Sequence, residues 1–175
     1  MNIVTTNIEG VLILEPQIFG DERGYFFESF SQKLFEESVC KTCFVQDNES
    51  KSKYGVVRGL HFQRAPYEQA KLVRVITGEV LDVAVDIREG SPTYGQHVST
   101  ILTGENKRQL FIPRGFAHGF AVLSEEVVFQ YKSDNYYAPG YEGAIRWDDP
   151  KLAIDWMLPP EVIILSEKDK HNPLL

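Results

Sequence analysis

Turn residues divide the sequence into short segments with strand-like patterns, and this division limits the chain to a small set of folds. Within residues 80–87, apolar side chains alternate with Asp82, Ala84 and Asp86. This period of two predicts a half-buried strand. About ten such segments recur every 8–12 residues or so, with one or two brief helices, which predicts an all-β sandwich or small barrel. Among these folds, a jelly-roll barrel protects its sheet edges with two packed sheets and encloses a pocket.

The apolar patterns and turn residues predict where each strand begins and ends. Strands are expected at 8–14, 24–30, 42–48, 55–63, 71–76, 80–87, 96–102, 109–112, 116–120 and 127–132. Residues 51–55 are expected to form a turn and 133–143 a loop, because both are rich in polar residues and glycine. The tail from 150 to 175 is expected to carry short helices.

One helix can be placed closely. Ser31 is a suitable N-cap, and Phe30 and Phe35 occupy the two positions of a hydrophobic staple around it. The helix is expected to end near Ser38.

Length and charge narrow the classes of function. The chain has 175 residues, of which 43% are hydrophobic, so residues 1–175 are expected to form a single domain with a sizeable core. Its formal net charge of −7 argues against non-specific nucleic-acid binding. No apolar run reaches the length of a membrane span, and the first residues do not resemble a signal peptide. The sequence therefore predicts no membrane partner and a cytoplasmic location.

Cys40 and Cys43 form a Cys-x-x-Cys pair. A second pair at zinc spacing is absent, and no βαβ pattern surrounds the first, so the pair is interpreted as two small residues near a strand. The sequence does not decide whether either cysteine has another role.

The segment from Arg58 to Gln63 brings chemically useful side chains together. His61 and Gln63 should point to the same face of an extended strand. In metal-binding barrels of the cupin type, a second His and a carboxylate occupy the positions where this chain has Gln63 and Lys71, and His118 stands where a last His is expected. Because an ammonium and an amide cannot replace those ligands, the sequence predicts acid–base chemistry without a metal.

These residue types suit proton removal beside a ketone. A His is a base near neutral pH, and the enolate oxygen that forms needs a donor or a cation, which Lys71 or His118 could supply. His61 would be the base and Tyr131 the acid, with a carboxylate needed to orient the His61 ring. Arg23, Arg58 and Lys168 in an otherwise acidic chain suggest a phosphate-bearing ligand.

Taken together, these segments resemble the dTDP-4-dehydrorhamnose 3,5-epimerases over nearly the whole chain. The matching motifs are Asp21–Gly24, Gln46–Asn48, Arg58–His61, Lys71–Val75, Pro113–Phe120, Tyr131–Tyr137, Ile145–Trp147 and Ser166–Asp169. The resemblance implies a cupin-like jelly roll, no metal and no cofactor. It also implies a homodimer in which an N-terminal segment reaches the partner.

The resemblance further implies a role for each site residue. His61 is the general base at C3 and C5 of a dTDP-4-keto sugar, Asp169 is its partner, Tyr131 is the acid on the opposite face, and Lys71 stabilises the enolate. Tyr137 stacks on thymine. The remaining substrate-binding positions are Arg23, Glu28, Gln46, Asp47, Asn48, Arg58, His118, Glu142 and Lys168.

One departure and three alternatives accompany this interpretation. Phe62 follows His61 where the family often has Tyr, and it is expected to pack on the other face of the strand. The alternatives are a relative that inverts only C3 or C5, a sugar-nucleotide-binding barrel without activity, and a metal-dependent cupin oxygenase. The presence of Tyr131 favours double inversion over the first, and Gln63 and Lys71 argue against the last.

Overall fold

Two antiparallel sheets face each other across one core. A computed structural model describes all residues from Met1 to Leu175. The strands are β1 (Asn2–Thr5), β2 (Leu12–Glu15), β3 (Phe19–Asp21), β4 (Gly24–Phe26), β5 (Gln46–Lys53), β6 (Val57–Gln63), β7 (Lys71–Thr77), β8 (Glu79–Asp86), β9 (His97–Thr103), β10 (Gln109–Ile112), β11 (Phe116–Val122), β12 (Glu126–Ser133) and β13 (Glu142–Ala144). The helices are α1 (Gln32–Ser38) and α2 (Glu167–Lys170), with 3-10 turns at Pro139–Tyr141 and Pro160–Val162.

The strand order confirms the predicted all-β jelly roll with a few short helices. One sheet has the order β1-β2-β10-β7-β12-β5, and the other has the order β13-β6-β11-β8-β9. Strands β3 and β4 pair only with each other, as a separate hairpin. None of the helices has the length and apolar composition that a membrane span requires.

The main core fills the space between the two sheets. Fifteen buried apolar residues form it, among them Val73 and Val75 of β7, Phe120 of β11 and the fully buried Phe129 of β12. The polar side chains of Asp82, His118 and Tyr131 lie on the same inner faces around Phe129, and the space between the two sheets beside them is termed the cavity.

A second cluster corrects the prediction that residues 80–87 are half-buried. The tail packs Leu152 and Trp156 against the outer face of the five-stranded sheet, over Val83 and Val85. Strand β8 is consequently buried on both faces from Val80 to Asp86. The alternation of apolar and polar residues in this segment separates two interior faces, not core from solvent.

Several predicted boundaries were wrong. The first strand, β1, was missed, and the segment expected at 8–14 begins only at Leu12, because Ile8 is fully buried in the turn before it. Strand β5 extends to Lys53, so the expected turn at 51–55 is reduced to Tyr54 and Gly55.

Two further short strands lie outside the segments predicted as strands. The hairpin strand β3 lies before Gly24, and β13 lies at the end of the 133–143 segment. Each has only three residues, too few to show a period.

The first helix matches its prediction. Ser31 caps α1, its Oγ accepting a hydrogen bond from the Leu34 amide, and the helix ends at Ser38. The Phe30 and Phe35 rings are in contact, with 6.0 Å between their centroids, which confirms the hydrophobic staple.

Candidate active site

Two glycines allow the strands that carry the histidines to approach closely. Gly59 of β6 and Gly119 of β11 face each other, so that a Cβ on Gly59 would lie 2.5 Å from the Gly119 Cα atom. Gly59 also has a φ of +137°, which disfavours other residues. The pairing of β6 and β11 shifts here and places His61 directly opposite His118.

His61 forms the predicted pair with Asp169. The His61 Nε2 atom lies 2.5 Å from Asp169 Oδ1. The exposed fraction of the His61 side chain is 41%, whereas that of the Asp169 side chain is 4%. The carboxylate thus holds one ring nitrogen and leaves the other free to accept a proton.

A short capped helix positions Asp169. Ser166 caps α2 by accepting a hydrogen bond from the Asp169 amide, and Asn172 donates to Asp169 Oδ1 at 3.3 Å. Burial acts to raise the pKa of Asp169, but hydrogen bonds from His61, Ser166 and Asn172 outweigh it and hold that pKa below its usual value. Asp169 is therefore ionised at neutral pH.

A second imidazole–carboxylate pair lies deeper in the cavity. Both carboxylate oxygens of Asp82 lie 3.0 Å from His118 Nε2, and Asp82 is fully buried. Asp82 was not predicted as a site residue, because its place in the alternating pattern of β8 was assigned to solvent. A buried carboxylate requires a partner, but the pattern of β8 alone does not show that the strand is covered on both faces.

Lys71, at the start of β7, is a cation close enough to this buried pair to interact with the Asp82 charge. Burial lowers the pKa of the Lys71 ammonium to about 8, and the charge of Asp82 opposes that shift. The Lys71 Nζ atom lies 5.8 Å from the centroid of the Tyr131 ring. Lys71 can therefore act as a cation or a proton donor inside the cavity.

Tyr131 reaches the cavity from the six-stranded sheet, whereas His61 reaches it from the five-stranded sheet. Phe129 links the two walls, since its ring centroid lies 6.2 Å from that of His118 and 6.3 Å from that of Tyr131. Burial raises the pKa of Tyr131, while the nearby Arg58 charge opposes the rise. The phenol is protonated at neutral pH and is available as an acid.

Strand β5 contributes amides to the same wall. Asn48 is the register partner of Tyr131, and the Gln46 side chain donates to Asn48 Oδ1 at 3.0 Å. The Asn48 Nδ2 atom is buried without a hydrogen-bond partner in the chain. On β6, in the other sheet, Arg58 Nε donates to the Ser52 hydroxyl of β5 at 3.1 Å.

Three further predicted residues lie together at the rim. Lys168 Nζ lies 2.6 Å from Glu142 Oε2, and this ion pair holds the pKa of Glu142 below its usual value. The Tyr137 ring is exposed beside them, with 55% of the residue accessible. Phe62 packs on the opposite face of β6 from His61, as predicted.

Three predicted residues do not join this cluster within the chain. Asp47 points to the outer face of the six-stranded sheet, where its carboxylate pairs with Lys132 at 2.9 Å. Arg23 lies on the β3–β4 hairpin, paired with Asp21. Glu28 lines a cavity between that hairpin, α1 and the same outer face.

The assembled cavity has the parts needed for enolisation and no cluster of metal-binding side chains. It holds an oriented imidazole, an opposing phenol, a cation and several amides. No group of three or more His, Cys, Asp or Glu residues is close enough to hold a metal ion.

Comparison with known proteins identifies the family. The family model for dTDP-4-dehydrorhamnose 3,5-epimerase matches residues 5–175. The chain belongs to this epimerase family. The enzyme of that name from Shigella flexneri is 58% identical over 170 residues, which span 97% of this chain and 93% of the relative.

Solved structures agree with this assignment. The 3,5-epimerase from Legionella pneumophila, solved with dTDP-4-keto-L-rhamnose, is 55% identical with a TM-score of 0.95, covering 99% of this chain and 92% of that one. A further relative, found by sequence comparison, is the dTDP-4-dehydrorhamnose 3-epimerase from Streptomyces niveus, which is 39% identical over the whole of this chain and 84% of the relative. The predicted family and the isomerase class are thus confirmed for this epimerase.

Proposed function

We propose that this epimerase inverts both C3 and C5 of dTDP-4-dehydro-6-deoxy-D-glucose to give dTDP-4-dehydro-L-rhamnose. The observation that carries the proposal is the arrangement of acid and base on opposite walls. The His61–Asp169 pair stands on the five-stranded sheet, and Tyr131 stands on the six-stranded sheet. Inversion at carbon needs a base on one face and an acid on the other.

The first half of each inversion is proton removal by His61. Its free ring nitrogen takes the proton from the carbon beside the 4-keto group, and Asp169 stabilises the imidazolium that forms. The electron pair of the C–H bond moves to the C4 oxygen as an enolate. Lys71 and His118, which are adjacent to one another through Asp82, stabilise that charge.

The second half is protonation by Tyr131. The phenol gives its proton to the opposite face of the same carbon, and the enolate electrons return to form the new C–H bond. Arg58 stabilises the phenolate that remains. His61 then loses its proton to water and Tyr131 regains one, so the same pair can act at the second carbon.

The rim and the amides bind the nucleotide. Tyr137 stacks on thymine, since an exposed ring offers a flat apolar face to a base. The same chain contributes Lys168, Arg58, Gln46, Asn48 and Glu142 to the binding set. The bound diphosphate is charged and crosses an apolar membrane poorly, so we place the reaction in the cytoplasm.

We further propose a homodimer in which the β3–β4 hairpin reaches the partner's cavity. Phe19, Tyr25 and Phe26 on the hairpin expose more than half of their surface. Arg23 and Glu28 belong to the binding set, yet lie outside their own chain's cavity. A partner's hairpin would bring these charges to the diphosphate and cover the aromatic side chains.

Inversion at a single carbon is the second candidate. The Streptomyces niveus 3-epimerase shares the chain's full span at lower identity than the Shigella flexneri enzyme. The presence of Tyr131 with the His61–Asp169 pair favours double inversion.

Product identity tests the proposal. The protein is incubated with dTDP-4-dehydro-6-deoxy-D-glucose, the keto group is reduced with borohydride, and the released sugars are identified. Double inversion gives L-rhamnose and its C4 epimer. A 6-deoxyhexose inverted at only one of C3 and C5 would establish single inversion. Recovery of only 6-deoxy-D-glucose and its C4 epimer, the reduction products of unchanged substrate, would contradict an epimerase acting on this sugar.

A further inference from the structure

The Gln63 side chain makes three hydrogen bonds to the backbone of two loops. Its Nε2 atom donates to the Tyr67 carbonyl at 2.6 Å and to the Tyr136 carbonyl at 3.1 Å. Its Oε1 atom accepts from the Ala138 amide at 2.7 Å. Gln63 is 7% exposed, so these three bonds are made where water does not replace them.

The contacts bracket Tyr137 on both sides. Gln63 holds the residue before Tyr137 by its carbonyl and the residue after it by its amide. The Tyr137 amide itself donates to Gln46 Oε1 at 3.2 Å. The backbone of Tyr136–Ala138 is thus fixed, whereas the Tyr137 ring projects from it and is exposed.

We infer that Gln63 is a positioning residue that presets the Tyr137 ring for the nucleotide. The inference rests on the proposed function, in which Tyr137 stacks on thymine. Gln63 lies two residues beyond His61 on β6, so one strand carries the base and also orders the nucleotide platform. An amide suits this role because it offers donors to two carbonyls and an acceptor to an N–H.

The consequence is a separation of binding from turnover. A preordered ring loses little conformational freedom when the base stacks, whereas a mobile ring must be ordered at the cost of affinity. Loss of the Gln63 contacts should therefore weaken nucleotide binding, and the reacting sugar, once bound, should still meet His61, Lys71 and Tyr131.

Gln63→Met keeps the length of the side chain and removes all three hydrogen bonds. We expect the Kd of dTDP, measured by calorimetry, to rise about tenfold, and kcat at saturating substrate to stay within about threefold of the wild-type value. Hydrogen exchange at the amides of residues 136–138 should accelerate. Gln130→Met, which removes a glutamine on β12 that bonds only Arg74, is the matched control and should change neither Kd nor exchange.

A double-mutant cycle tests whether the effect passes through Tyr137. In a Tyr137→Ala background, Gln63→Met should weaken dTDP binding by less than about twofold. A full tenfold loss in that background would overturn the role, and so would an unchanged Kd or a fall in kcat alone in the single variant.

Two further measurements distinguish a failure of the proposed nucleotide site from a failure of the proposed Gln63 role. If the wild-type chain binds no dTDP, or Tyr137→Ala leaves its Kd unchanged, the proposed nucleotide platform fails and the Gln63 role fails with it. If Gln63→Met does not fold, Gln63→Glu keeps the volume and the acceptor for Ala138. Its dTDP affinity should recover at low pH, where a protonated carboxyl can again donate to a carbonyl, and a pH-independent Kd would overturn the role.

Discussion

At the residue scale, the cavity contains titratable groups held in unlike environments. Asp169 is ionised because three side-chain hydrogen bonds outweigh its burial. Tyr131 is protonated because the ordinary pKa of a phenol already lies above neutral pH and burial raises it further. At neutral pH the cavity therefore contains a base, His61 with its ionised partner Asp169, and an acid, the Tyr131 phenol.

Lys71 should set the alkaline limit of activity. Its pKa of about 8 lies below the ordinary lysine value, so the ammonium is present below that pH and lost above it. If the enolate needs this charge, kcat/KM falls about tenfold per pH unit above pH 8 or so. The measurement is a pH–rate profile of the wild-type enzyme and of Lys71→Arg.

In Lys71→Arg the alkaline limb should move beyond the assayed range, because a guanidinium keeps its charge, even where the maximal rate is lower. Lys51→Arg on the outer face of β5 is the control and should leave the limb near pH 8. An alkaline limb that stays near pH 8 in Lys71→Arg would assign it to another group.

At the element scale, the two sheets divide the chemistry. Strands β6 and β11 bring His61 and His118, and strands β7 and β12 bring Lys71 and Tyr131. The core residue Phe129 lies near His118 of one wall and Tyr131 of the other. Removing a functional group from one wall should therefore affect one half of the reaction.

Tyr131→Phe should uncouple proton removal from inversion. His61 would still exchange the C3 and C5 protons, but without the phenol the enolate would be reprotonated mainly from the His61 side. In D₂O the substrate should gain deuterium while the inverted product forms at least a hundredfold more slowly. Tyr141→Phe at the rim, where the ring packs on Tyr67, is the control. Inverted product at the wild-type rate would refute the acid role.

The close approach of β6 and β11 should make the stability of the fold sensitive to any side chain at Gly119. A Cβ on Gly119 would lie 2.6 Å from the Arg58 carbonyl oxygen. Gly119→Ala should therefore destabilise the fold by about 2–4 kcal/mol and separate the two histidines. Gly140→Ala, whose Cβ meets nothing within 4 Å, should be neutral. Thermal unfolding compares them, and equal Tm values would show that this approach is not restrictive.

The sequence predicted the individual strands and helices better than the contacts between distant parts of the chain. The capped helix after Ser31 could be predicted because its signals are local. The His61–Asp169 pair joins residues 108 positions apart, so only the family resemblance suggested it. Asp82 was missed because the alternating pattern of β8 cannot show that the distant tail, with Trp156, covers the outer face of that strand.

At the scale of the whole molecule, the binding set is split between two regions of the chain. Most of its cations and amides line one cavity, whereas Arg23 and Glu28 lie with an exposed aromatic hairpin elsewhere. In an acidic protein, cations placed near the diphosphate are needed to offset general repulsion of the substrate. A dimer would supply the missing ones.

Complementation between inactive variants tests that dimer. If the hairpin serves the partner's cavity, Arg23→Ala and His61→Ala subunits can share one intact site per heterodimer. Mixed after unfolding and refolding, equal amounts should regain about a quarter of wild-type activity, since half of the dimers are mixed and each has one intact site. No recovery, with heterodimers present by mass measurement, would place Arg23 in its own subunit's site.

Deuterium exchange tests most directly whether the single base His61 serves both C3 and C5. The protein is incubated with dTDP-4-dehydro-6-deoxy-D-glucose in D₂O, and the C3 and C5 protons are followed by NMR in the wild-type enzyme and in His61→Ala. Both signals should disappear with the wild type and persist at least a thousandfold longer with the variant, which should still bind dTDP. Exchange at one carbon only, or wild-type exchange rates in His61→Ala, would contradict this role of His61.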